Sequence, residues 1–224
     1  MQHYPKTMPG PTAELLKEKE KPNGTYRIEP VLKQLQTDFY NKCYICEDSP
    51  QSINIEHLVP HKDDKELKFS WLNLCWSCGH CNNIKLSKYD NILNCINDAE
   101  IESKLEYIYS PFPAEKVAIQ DHHNSIESKL TREMLLGVFN GTTPIKKIES
   151  NDLRKKICKE LLEFNQYILE FTETQDAELR KLLGAKIKAK VKESAKFASF
   201  TRAFIRKHTA TIQELRAQIE NFPV

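Results

Sequence analysis

Cys43-Tyr44-Ile45-Cys46, Ile55-Glu56-His57-Leu58-Val59-Pro60 and Cys78-Gly79-His80-Cys81-Asn82-Asn83-Ile84-Lys85 are the three strings on which the fold of this chain turns. The first and the last each hold two cysteines at a two-residue spacing, which lets one turn of backbone offer both sulfurs to a single ion. Two such knuckles complete a closed four-thiolate shell, with zinc–sulfur distances of about 2.3 Å. Closed shells are structural. Between Cys43 and Asn91 helical periodicity breaks, and Pro50, Pro60 and Gly79 separate clusters of cysteine, histidine and asparagine. The segment therefore reads as loop-rich and too poor in apolar residues to bury itself, so zinc would supply much of its folding free energy, on the order of 10 kcal/mol in small zinc modules.

The remaining cysteines carry less information. Cys95 and Cys158 have no neighbour at ligand spacing and read as small core residues. Cys75 can replace a zinc ligand, but its place directly after Asn73-Leu74 suits the core better. His80 lies inside the second knuckle and can substitute for a thiolate, although four thiolates already satisfy zinc.

Outward from this region the pattern becomes helical. Residues 1–26 hold Pro5, Pro9, Gly10, Pro11, Pro22 and Gly24 and read as an arm with one short helical turn near Leu15 and Leu16. From Ile28 to Lys42 the apolar residues Ile28, Val31, Leu32, Leu35, Phe39 and Tyr40 share one helix face, delivering the chain to Cys43. YIYSPFP at 107–113 reads as a short extended stretch ended by prolines. A helix over Thr131–Phe139 stops at Asn140-Gly141, after which Pro144 hinders continuation. Leu153, Ile157, Leu161, Phe164, Ile168 and Phe171 then form an apolar stripe, and helices over Asp176–His208 and Ile212–Phe222 complete a bundle. The expected class is α+β, mostly α. It comprises an arm (1–26), a zinc-binding core with its leading helix (27–98) and a helical domain for partner or nucleic-acid binding (99–224).

The 224 residues are 40% hydrophobic and 29% charged, the composition of a soluble globular protein. No apolar run approaches the roughly 20 residues needed to cross a bilayer, and the start, MQHYPKTMPGP, has no apolar signal stretch, so the expected location is the cytoplasm. There, seven cysteines are metal ligands or core residues, not a disulfide framework. A formal net charge of +2 argues neither for nor against nucleic-acid binding. Its distribution is more informative. Lys186, Lys188, Lys190, Lys192, Lys196, Arg202, Arg206 and Lys207 face the single acid Glu193, with Phe197, Phe200 and Phe204 at helical spacing, so Lys188, Lys190 and Lys192 are candidate phosphate contacts. A solvated charged face is the competing reading.

The order of C-x-x-C, an acid–His pair, Trp71-Leu72-Asn73-Leu74, then C-x-x-C followed by Asn82 and by a lysine three positions on closely resembles the HNH nucleases. That resemblance implies a ββα-metal core: two short strands, a loop and a helix around one catalytic divalent cation. By position, His57 would be the general base, Glu56 a carboxylate ligand where the family usually has aspartate, and Asn73 the residue that fixes the loop and orients His57. Asn82 stands where the family has its final histidine, making an H-N-N variant. Its carbonyl oxygen together with Glu56 favours Mg²⁺ or Mn²⁺ over Zn²⁺ or Ni²⁺. Asn83 would point elsewhere, while Lys85, about one turn from Asn82, is placed to touch a phosphate. His61 is either a phosphate contact or a solvated loop residue. His122-His123 has no partner ligand nearby in sequence.

Features outside the core are similar to the PtuB-type HNH subunits of Septu and retron anti-phage systems. Such a subunit implies a PtuA-like ABC-class ATPase as partner, in some systems a retron reverse transcriptase with its RNA and DNA, and DNA or RNA as substrate. The alternatives are a stand-alone HNH endonuclease of restriction or mobile-element type, or a zinc-stabilised nucleic-acid-binding module whose nuclease centre has decayed.

Overall fold

The computed structural model describes residues 1–49, 52–110, 116–219 and 222. In chain order its elements are α1 (Thr12–Lys19), α2 (Glu29–Asp38), β1 (Ile53–His57), α3 (Lys65–Phe69), a 3-10 turn (Trp71–Asn73), β2 (Leu74–Cys78), α4 (Gly79–Lys85), α5 (Ile101–Lys104), β3 (Leu105–Ser110), β4 (Lys116–Asp121), α6 (Ile126–Asn140), α7 (Pro144–Glu173), α8 (Ala177–Val191), α9 (Ala198–Lys207) and α10 (Thr209–Gln218). The class is mixed α and β with helix dominant, as expected. Among the described residues no helix is long and apolar enough to cross a membrane. The chain divides into two compact units, Met1–Leu105 with Asp121–Val138, and Glu106–Gln120 with Phe139–Val224.

In the first unit β1 and β2 pair antiparallel, with Ile53 opposite Cys78 and His57 opposite Leu74. Helix α4 starts directly from β2, so strand and helix share the second knuckle. The Tyr44 N–H donates to the Trp76 carbonyl (2.9 Å), which attaches the first knuckle to β2. Tyr44, Ile45, Ile55, Leu58, Trp71, Leu74 and Trp76 are all buried, although the segment has too few apolar residues to bury itself. Flanking segments supply the missing apolar surface. Buried Tyr4 lies against Phe39 (ring centroids 4.9 Å), and Phe39 in turn against Tyr44 (6.4 Å).

Residues 1–26 are accordingly not a free arm. The Tyr4 N–H donates to the Cys95 carbonyl (2.7 Å), and Trp71 Nε1–H donates to the Thr7 carbonyl (3.0 Å). The buried Lys6 ammonium sits over the Trp71 ring and donates to the carbonyls of Trp71 and Leu74. Prolines and glycines prevent one long helix, as expected, but they do not prevent single side chains from anchoring an irregular segment. The expected boundary near residue 98 also differs. Residues 121–138 belong to the first unit, through contacts such as Leu93 N–H to Thr131 Oγ1 (2.8 Å) and Lys88 Nζ to Glu133 Oε1 (2.7 Å).

In the second unit β3 and β4 form a two-stranded sheet. Residues 107–110 of the expected extended stretch lie in β3, whereas residues 111–113, like Pro50, fall outside the described residues. Helix α6 ends at Asn140, and Gly141 follows at φ +76°, where an added Cβ would come within 2.5 Å of the Lys147 nitrogen. Pro144 then opens α7 at its first position, capped by Thr143 Oγ1 accepting from Lys146 N–H (3.3 Å), so this proline starts a helix. Leu153, Ile157, Phe164 and Phe171 of the apolar stripe are buried, while Leu161 and Ile168 lie at its partly exposed margin.

The helix expected over Asp176–His208 is two helices. The chain turns at Phe197, whose φ of +53° is left-handed, and α9 supplies the donors that the last carbonyls of α8 need. Thr201 Oγ1 donates to the Lys190 carbonyl and Arg202 Nη1 to the Val191 carbonyl, both at 2.8 Å. Phe164, Phe171, Leu183, Ile187, Ile205 and Leu215 form the core of this unit. Because Phe164 is fully buried there, Phe164→Ala is expected to lower the unfolding free energy of this unit by about 3–5 kcal/mol. Urea denaturation followed by circular dichroism checks this, and an unchanged midpoint would contradict the packing described.

Candidate functional site

Cys43, Cys46, Cys78 and Cys81 place their sulfurs within 4.8 Å of one another, all four buried and none in a disulfide. Cys46 Sγ lies 3.9 Å from Cys78 Sγ. A tetrahedron with zinc–sulfur bonds of about 2.3 Å has edges of about 3.8 Å, so the spacing fits a Cys₄ zinc shell. Local backbone holds the sulfurs in place. Cys43 N–H donates to the Asp48 carbonyl (2.8 Å) and Glu47 N–H to the Cys43 carbonyl (2.9 Å), closing the first knuckle. In the second, Cys78 caps α4, its Sγ accepting from the Cys81 N–H at 3.4 Å. Burial pushes the Cys81 thiol well above the ordinary range, which a bound divalent cation would reverse by stabilising the thiolate.

The other candidate ligands are engaged elsewhere. His80 Nε2 is 2.8 Å from the Val138 carbonyl oxygen of α6. Cys75 is a fully buried β2 residue opposite Glu56, and Cys95 is likewise buried. Among the described residues the four knuckle cysteines are the only group of three or more His, Cys, Asp or Glu side chains close enough to share an ion.

At the far end of the strand pair, His57 is the last residue of β1. Its Nε2 lies 3.0 Å from the Lys68 carbonyl. A carbonyl only accepts, so the proton sits on Nε2 and the neutral ring keeps its lone pair on Nδ1. Burial pushes the imidazole down to about 4, which keeps it neutral near pH 7. Two rings flank it edge-on: Tyr26 and His61, each with its centroid 4.7 Å away. His61 Nδ1 accepts from the Asp63 N–H (3.2 Å), so its own proton is on Nε2. Tyr26 belongs to the segment read as an arm. Nothing in local spacing signals its contact, because the pairing depends on how distant segments pack.

Glu56, one residue earlier, points to the opposite face of the strand. There it meets α4: Lys85 Nζ lies 3.1 Å from Glu56 Oε1 and 2.8 Å from the His57 carbonyl. Lys85 is fully buried, so its ammonium faces this pair and not an open phosphate-binding surface. Burial raises the Glu56 carboxyl above the ordinary range, with Lys85 pulling the other way. Asn82 precedes Lys85 by three residues, about 4.5 Å along the same side of α4, and is half-buried. Glu56 carries a carboxylate and Asn82 an amide oxygen, the donor types that Mg²⁺ and Mn²⁺ use together with water and phosphate oxygens.

Asn73 ties the loop that leaves His57. Its Oδ1 accepts from the Val59 N–H (2.8 Å), and its Nδ2 donates to the carbonyls of Val59 (2.8 Å) and Leu67 (3.0 Å). Asn73→Ala would remove three hydrogen bonds to the Val59 and Leu67 backbone, and is expected to cost about 2–4 kcal/mol. Chemical denaturation measures this, and a loss below about 0.5 kcal/mol would show that the loop holds without it.

The three lysines expected to contact nucleic acid are not brought together. Residues two apart on a helix differ in direction by about 200°, and Lys192 lies beyond the end of α8. Lys190 is held by Glu160 (2.5 Å) and Glu163 (2.7 Å). Elsewhere in the same stretch Arg202 is buried, and Lys207 pairs with Glu106 (2.5 Å). His122 and His123 follow Asp121, whose carboxylate accepts from the His123 and Asn124 N–H groups as a turn cap.

No protein-family model matches this chain, and no curated protein is similar enough to it to count as a relative.

Proposed function

We propose that this chain is a metal-dependent nuclease of the HNH type that hydrolyses phosphodiester bonds of DNA or RNA. The observation that carries this reading is the convergence of separate strings at one end of β1, where Lys85 of α4 bonds both Glu56 and the His57 carbonyl. The same strand end has the His57 ring fixed by the Lys68 carbonyl, and Asn73 pins the loop that follows. A strand followed by an irregular loop, a second antiparallel strand and a helix is also the order that the ββα-metal resemblance requires.

In this mechanism a phosphodiester lies across the end of β1, with the imidazole on one flank and the carboxylate on the other. His57 Nδ1 takes a proton from water as the water oxygen attacks phosphorus. The P–O3′ bond breaks, and the leaving oxygen takes a proton from solvent, giving the 3′-hydroxyl and 5′-phosphate that the resemblance implies. Glu56 and the Asn82 carbonyl oxygen would hold Mg²⁺ or Mn²⁺, which supplies charge neutralisation at the phosphate and the leaving oxygen. Asn73 contributes by holding the loop, and the four-cysteine zinc shell by fixing the start of α4 against β2.

The biological setting we propose is an effector subunit of a bacterial anti-phage system, working in the cytoplasm beside a PtuA-like ABC-class ATPase, with a reverse transcriptase and its RNA and DNA in retron-type systems. The order of motifs supports it, together with a helical unit that has its own core. The decisive assay incubates the zinc-loaded protein, alone and with such an ATPase, with plasmid DNA and with tRNA. Mg²⁺ or Mn²⁺ is added or omitted, since a strong chelator would also attack the zinc. Cleavage that needs the added ion is expected. Binding without cleavage in every condition would identify a zinc-stabilised binding module instead, and full cleavage without the ATPase would identify a stand-alone endonuclease.

A further inference from the structure

Lys85 closes α4 with an ammonium that is fully removed from solvent. Its partners are the Glu56 carboxylate at 3.1 Å and the His57 carbonyl at 2.8 Å. A buried ammonium requires such partners, because an unpaired one would shed its proton or unfold its surroundings. The pairing has a consequence for Glu56. This carboxylate is the single acid of the proposed Mg²⁺ or Mn²⁺ site, and it is already neutralised from within the protein. Asn82 adds an oxygen but no charge. A divalent ion held by Glu56 would therefore stand close to a fixed like charge in a partly desolvated place, where such repulsion is strong. A phosphodiester brings the missing negative charge and further oxygen ligands at once.

Building on the nuclease reading above, we propose that Lys85 is a resident counter-cation of Glu56 that makes divalent-ion binding at Glu56 and Asn82 conditional on a bound phosphodiester. Free protein then holds its catalytic carboxylate in an ion pair, and nucleic acid and metal load together. Coupling between two ligands is reciprocal, so the ion strengthens nucleic-acid binding by the same factor.

The test measures metal binding directly. Mn²⁺ is titrated into zinc-loaded protein carrying His57→Ala, which prevents cleavage, and free Mn²⁺ is read by electron paramagnetic resonance. The titration is run without nucleic acid, with a DNA duplex and with a single-stranded RNA, each corrected for Mn²⁺ bound by the nucleic acid alone. The expected result is weak binding by the protein alone and a gain of about tenfold or more with one of the nucleic acids. Adding Lys85→Met should raise affinity without nucleic acid by about tenfold and shrink the gain. Equal affinity with and without both nucleic acids would overturn the proposal while leaving the metal site standing. So would a Lys85→Met protein that folds and binds no tighter. If Lys85→Met loses its zinc, the gain measured with Lys85 in place decides alone. Absence of Mn²⁺ binding in every mixture would remove the proposed metal site, and the nuclease reading with it.

Discussion

Zinc supplied to the Cys43–Cys46–Cys78–Cys81 cluster is expected to be required for cooperative folding of the first unit. Four buried thiols meet with no disulfide between them, and they join two backbone knuckles separated by a loop, two short strands and a five-residue helix. An apparent zinc-binding free energy on the order of 10 kcal/mol is comparable to the whole stability of an ordinary domain, about 5–15 kcal/mol. Without zinc four buried sulfurs stand within 4.8 Å of one another at the junction of β2 and α4 with no ion to hold the two knuckles together. The second unit has its own apolar core around Phe164, Phe171, Ile187 and Ile205. Thermal melting by circular dichroism, with and without a strong zinc chelator, should therefore show much helical signal surviving chelation while the buried-tryptophan fluorescence of Trp71 and Trp76 changes. Cys43→Ser and Cys81→Ser should behave like the chelated protein. Identical melting curves with and without chelator would rule out a structural metal.

His57→Ala is expected to reduce ion-dependent cleavage by about 10²–10⁴-fold, the usual contribution of a positioned general base. The same variant should keep its zinc content. Losing the bond to the Lys68 carbonyl and the edge contacts with Tyr26 and His61 costs stability on the order of 1 kcal/mol. The combination is diagnostic, since a loss of about 1 kcal/mol leaves nearly all of the protein folded, and a purely structural histidine would then lose little activity. Cleavage and zinc content measured on one preparation provide the check, and cleavage within about threefold of the parent protein would take His57 out of the mechanism.

Several features were legible because they depend on short-range spacing. Two C-x-x-C pairs restrict each sulfur to one turn of chain, and the four sulfurs do meet. Apolar periodicity placed α2 and the stripe of α7, and Gly141 after Asn140 ended α6, since both signals are intrinsic to helical geometry. The break between α8 and α9 is not legible in the sequence because Lys192 to Phe197 has a plausible helical composition, whereas in the fold Lys192 is already extended and Phe197 is left-handed. The lysines of α8 looked like one basic strip in the linear sequence. Helical rotation turns Lys188 about 200° away from Lys186 and Lys190, and Glu160 and Glu163 of α7 hold Lys190.

By itself, then, the sequence determined which four cysteines meet, because a two-residue spacing confines each pair of sulfurs to one turn of chain; His57, Glu56, Asn73 and Asn82 became candidates through the resemblance of the motif order to the HNH nucleases. Tertiary structure alone decided that residues 1–26 are packed into the first unit, that Tyr26 and His61 flank the His57 ring, and that Lys85 is buried against Glu56. Those arrangements depend on which distant segments exclude water from one another, a property of the assembled core that no short window of residues encodes.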